Sequence, residues 1–168
     1  MPAASLSIDP VAAAVAGLVA GQLMEAPTYL QRVAGLGVKQ DIFDEGGAIL
    51  RAPRRYRRVV GWVGHGVLAV AIVLLYATFF AAVAHNDHLA WWGIVAGAVH
   101  GLLGGTVVGA WADLHPEMPD GTAPPGVFYR HYGRRDVVSF VVGHLWFGLV
   151  AGTLYALLHA ALPPAAAL

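Results

Sequence analysis

Residues 91–113, WWGIVAGAVHGLLGGTVVGAWAD, stay apolar for long enough to cross a bilayer and carry glycine at every fourth position: Gly93, Gly97, Gly101, Gly105 and Gly109. On an α-helix each four-residue step turns about 40° past a full revolution, so these glycines form one slowly drifting bare stripe. Lipid chains gain nothing from such a stripe, whereas a second helix can press its backbone against it. The segment reads as the central, most enclosed helix of a membrane bundle, with Gly97, Gly101 and Gly105 against neighbouring helices.

The rest of the chain agrees with that reading. Of 168 residues, 58% are hydrophobic and only 12% charged, whereas soluble domains carry about a quarter charged residues. Apolar segments at about 10–25, 59–83, 89–111 and 137–162 each approach the roughly 20 residues that a membrane span needs. The expected fold is therefore an all-α four-helix transmembrane bundle, one integral membrane domain over 1–168. Two long loops, 26–58 and 112–136, alternate with a short turn holding His85, Asn86, Asp87 and His88. Pro116, Pro119, Pro124 and Pro125 keep the second loop from forming one helix.

Basic residues set the expected orientation. Arg32, Lys39, Arg51, Arg54, Arg55, Arg57 and Arg58 lie in the first long loop, and Arg130, Arg134 and Arg135 in the second. The positive-inside rule places both loops in the cytoplasm and both termini outside. No basic residue precedes Arg32, so the first segment lacks the charged start of a cleaved signal and reads as retained. Lys39 is the only lysine among the ten basic residues, and Ala and Gly are abundant. That is the composition of a GC-rich bacterial genome, and the expected location is the bacterial inner membrane. The stretch 40–51, QDIFDEGGAILR, mixes apolar and charged residues and is expected to lie flat on the inner surface, with its two glycines weakening a helix.

Other classes of function recede. Net charge is zero, so no global field recruits nucleic acid. There is no cysteine, which removes disulfides, thiolate metal sites and thiol chemistry. No phosphate loop or nucleophile elbow occurs.

The chain also repeats itself. Gly17 and Gly21 followed by Glu25 match Gly105 and Gly109 followed by Asp113. Val63-Gly64-His65 with Tyr76 eleven residues on matches Val142-Gly143-His144 with Tyr155 eleven residues on. Two parallel hairpin repeats, about 9–83 and 89–162, are expected, related by an axis along the membrane normal. With Gly17-Leu18-Val19-Ala20-Gly21 before Glu25 and Pro27, Trp62-Val63-Gly64, Gly93-Ile94-Val95-Ala96-Gly97-Ala98 and Val142-Gly143-His144-Leu145-Trp146, the order of elements resembles the YagU-like family of bacterial inner-membrane proteins. That resemblance implies a four-helix inner-membrane fold and no particular activity.

Candidate functional residues follow from the repeat. Glu25, His65, Asp113 and His144 are expected to form a polar centre, with Tyr76 and Tyr155 on the same helix faces as the two histidines. Buried polar groups need partners, so each histidine should find a carboxylate, tyrosine or hydroxyl from another helix. His100, midway along the third span, His65 and His144 are the candidate ligands for a haem b or a transition metal. No Glu-x-x-His pair appears, so the di-iron bundle signature is missing.

Three functions are compatible with these residues. One is a non-enzymatic component packing against a second copy or a partner subunit through its glycine stripes. Another is a path or sensor for protons, ions or a small solute. The last is a haem- or metal-binding redox subunit. The lipid bilayer is the partner common to all three.

Overall fold

The structure, a computed structural model, describes residues 8–114 and 125–161, with the side chains of 108–114 left undescribed. Every regular element among the described residues is helical. They are α1 (Pro10–Leu23), α2 (Ala26–Val33), α3 (Ile42–Ile49), α4 (Arg57–Ala82), α5 (Leu89–Leu114) and α6 (Arg134–Ala161). Short 3₁₀ turns occur at Arg54–Tyr56 and Val127–Tyr129. Four stretches are long and apolar enough to cross a membrane: Pro10–Val33, Arg54–Ala82, Leu89–Val107 and Arg134–Ala161.

The first span is longer than the sequence suggests because α2 continues it past a break. The Asp9 carboxylate starts α1, accepting the Val11 and Ala12 N–H groups at 3.0 and 2.9 Å. Pro27, in the first turn of α2, has no N–H to offer the Leu23 carbonyl one turn back, and the helix divides there. Trp146 of α6 supplies the missing donor, its Nε1–H reaching the Leu23 oxygen at 3.0 Å.

Small residues decide where α1 sits. Ala12, Ala13, Ala16, Gly17, Ala20 and Gly21 are its buried face, pressed between α4 and α6. A Cβ on Gly17 would stand 2.8 Å from the Ala69 carbonyl oxygen of α4. Side chains that short let helix backbones approach closely, and dispersion between them holds the contact where lipid provides no hydrophobic drive.

The same device joins α5 to α6. A Cβ on Gly93 would lie 2.1 Å from the Gly148 oxygen, and one on Gly97 2.4 Å from the His144 oxygen. Gly148 and Gly152 of α6 return the contact, against Gly93 and Leu89. The glycine stripe of α5 is thus used within the chain. The helix itself is not the most enclosed of the four, as the stripe suggested. Over its described stretch, Leu89–Val107, it is the least buried of the four, and the first and last spans are the most. A stripe drifting about 40° per step fits one crossing partner; the remaining faces of α5 expose Val99, Leu102, Leu103 and Val107. Gly105 faces the Phe128 ring. Gly109 and Asp113 lie on the helix, but their surroundings fall outside the described residues.

The stretch expected on the inner surface forms α3, packed against α4. In α3, Gly46 and Gly47 meet Gly61 and Arg57 of α4, and a Cβ on Gly47 would stand 2.0 Å from the Arg57 oxygen. These glycines permit the docking of a helix rather than prevent its formation. The centre of the molecule is filled by Val73, Phe80, Phe147 and Tyr155, each at most 1% exposed.

Candidate functional site

Of the six residues singled out from the repeat, the five whose side chains are described do not converge on one point. His65 Nε2–H donates to the Gly21 carbonyl at 3.1 Å, and the ring stands edge-on to Phe43 of α3 at 5.7 Å. The last carbonyls of a helix lack intrahelical donors. His65 and Trp146 thus serve the end of α1 from two different helices. Glu25 is half-buried at the break between α1 and α2. Tyr155, fully buried, accepts the Asp9 N–H at 3.2 Å and fixes the opposite end of α1.

His144 is occupied differently. It is buried on α6, and its Nδ1 lies 2.9 Å from the Phe140 carbonyl of its own helix. A carbonyl can only accept, so Nδ1 carries the proton and Nε2 keeps a lone pair. His144 is packed by Gly101 of α5, where a Cβ would come within 2.9 Å of its own Cβ. The His100 ring meets it at 4.9 Å between centroids, inclined by 70°. His100 Nδ1 in turn lies 3.4 Å from the Tyr76 hydroxyl. Phe147 closes this group, 5.6 Å from His100 and 5.9 Å from Tyr76 between ring centroids. Three polar aromatic side chains from α4, α5 and α6 therefore meet inside the bundle. Of the residues named from sequence, Tyr76, His100 and His144 come together; His65 and Tyr155 each serve an end of α1.

This arrangement bears on cofactors. His100 and His144 are in direct ring contact, so no porphyrin plane fits between them. Among the described residues no three His, Asp or Glu side chains are grouped to hold a metal.

A second polar group, missed in the sequence, joins the two long loops. The buried Tyr129 hydroxyl donates to Glu45 of α3, which also accepts the Asp41 N–H at 3.1 Å. Asp136, 1% exposed at the start of α6, accepts the Lys39 and Gln40 N–H groups at 2.8 Å each. Arg135 donates to the Leu36 carbonyl at 2.6 Å. Burial pushes the Glu45 carboxyl above its ordinary 4.5, against the pull of the Tyr129 hydrogen bond. Burial, reinforced by Glu45, also drives the Tyr129 phenol well above its usual range and Tyr132 up to about 12. Phe128 and Tyr129 hold left-handed backbone angles, φ 55° and 60°, which cost non-glycine residues about 1–3 kcal/mol each. The Phe128 ring against Gly105 and Phe140, and the Tyr129 bond to Glu45, oppose that cost.

The fold and these sites describe an all-helical protein with the four long apolar helices of a multi-pass membrane protein. Compared with protein-family models, with characterised proteins and with solved structures, the chain matches none.

Proposed function

We propose that this chain is a non-enzymatic, multi-pass protein of the bacterial inner membrane in which Tyr76, His100 and His144 form a path or sensor for protons or a small polar solute. The observation that carries this reading is their direct succession across α4, α5 and α6, with His100 between the Tyr76 hydroxyl and the His144 ring. Packing alone would favour apolar side chains there, because ionisable groups inside a bilayer are costly and tend to mark function. A neutral imidazole can accept a proton at one nitrogen and release one from the other, and a phenol can do both at one oxygen.

A packing role is the second reading, and the contacts of His65 and Trp146 with the end of α1 favour it. The stripe on α5 is less suited to a partner subunit, since α6 already occupies Gly93 and Gly97. The expected resemblance to YagU-like proteins is consistent with either role and selects neither.

Purified protein in liposomes with an internal pH-sensitive dye distinguishes them. The relay requires proton flux above that of protein-free vesicles, falling to background in His100→Leu while the melting temperature in detergent stays near wild type. Equal flux with and without protein leaves the packing role alone.

A further inference from the structure

A cavity of about 170 Å³ opens between α5 and α6. It is lined by Gly97, Gly101 and Leu102 of α5, by Phe140 and His144 of α6, and by Phe128. Those two glycines bring the α5 backbone against His144, leaving no room for a Cβ at either position. Leu102 and its neighbours on that face are exposed, so in a bilayer the cavity faces acyl chains rather than water.

We infer that this cavity binds a lipid-soluble aromatic alcohol, of the phenol or hydroquinone class, through a hydrogen bond to His144 Nε2. Size, lining and polarity each bear on that class. An apolar cavity of about 150 Å³ accommodates one benzene ring, so this one fits a single substituted six-membered ring and excludes a helix or a porphyrin. Phe128 and Phe140 present ring faces and edges to such a guest. His144 is the one side chain among the lining residues that can hydrogen-bond. Its Nδ1–H is committed to the Phe140 carbonyl, and Nε2 has no hydrogen-bond partner among the described residues. Nε2 passes beside Gly104, where even a Cβ would come within 3.4 Å. It is therefore an acceptor, and the guest must bring a donor. A quinone or an ether, which only accepts, does not match; a hydroxyl does. The strained backbone of Phe128 stands at the same place, as strain often does at binding sites.

The inference shares His144 with the relay proposed above but does not require protons to pass. The full chain in lipid nanodiscs is exposed to an alkylphenol carrying a photoreactive diazirine in its tail, and separately to the methyl ether of that phenol. The phenol should label α5 and α6 saturably, and the ether should bind about tenfold more weakly, the loss expected for one hydrogen bond. Ala98→Phe, at an exposed lining position, should fill the cavity and abolish saturable labelling. His144→Phe should bring the phenol down to the level of the ether; if that variant does not fold, the phenol–ether comparison on the wild type decides. Equal affinity for phenol and ether, labelling that survives Ala98→Phe, or no saturable labelling overturns the inference. Binding without flux removes only the relay, and flux without binding removes only this site.

Discussion

Two adjacent glycines in α3 show how far local geometry separates residues that look alike in the sequence. Around Gly46 the nearest atom to an added Cβ is 3.6 Å away, ordinary contact distance, whereas at Gly47 it is the Arg57 oxygen at 2.0 Å. Alanine gains up to about 1 kcal/mol over glycine in a helix interior. Gly46→Ala should therefore leave thermal stability unchanged or raised by up to that amount. Gly47→Ala should lower it by about 1–3 kcal/mol, as α3 is forced off α4; melting in detergent measures both. Histidine was legible to a similar degree. That His65, His100 and His144 stand inside the protein follows from their apolar surroundings in the sequence. Which of them touch does not, because contact depends on helix crossings that no spacing reveals. The clue to Trp146 was Pro27: a proline one turn past Leu23 frees that carbonyl, and freed carbonyls in lipid need donors.

At the level of elements, spans were readable and neighbours were not. Apolar length located α1, α4, α5 and α6 closely, since about 20 apolar residues admit few other fates. Along the glycine stripe, Gly93 and Gly97 lie against α6 while Gly105 lies against Phe128 of the second loop, a division that spacing does not reveal. The short helix α3 was hidden by its glycines, and the Glu45–Tyr129 pair by the 84 residues between its members. That pair makes a pH prediction. Glu45 has a folded pKa above its ordinary 4.5, so the folded state holds the proton more tightly than the unfolded one. Its contribution is fully present below 4.5 and is lost as pH rises through the raised value. Glu45→Gln keeps an oxygen for the Tyr129 hydroxyl and removes the ionisation. The variant should melt at a higher temperature than wild type at pH 7.5 and show no such gain at pH 4, by thermal denaturation in detergent.

For the whole molecule, orientation is the first property to measure. The basic residues of both long loops argue for a cytoplasmic position, and the chain has no cysteine to interfere with labelling. Asp87→Cys in the exposed short turn should react with an impermeant maleimide in intact cells, and Arg55→Cys should react only after lysis; the reverse pattern would invert the topology. A different property follows from how the helices share their neighbours. The α1 helix is fastened to α4 and α6 along its face and at both ends, and α5 is sewn to α6 by glycine, while among the described residues α4 and α5 meet through little beyond Tyr76–His100 and Phe79–Trp92. Viewed as a mechanical object, the protein is a folded strip with one thin seam. Under force applied along the membrane normal, α5 and α6 should leave as a single step, and a lateral load should open the molecule first between α4 and α5.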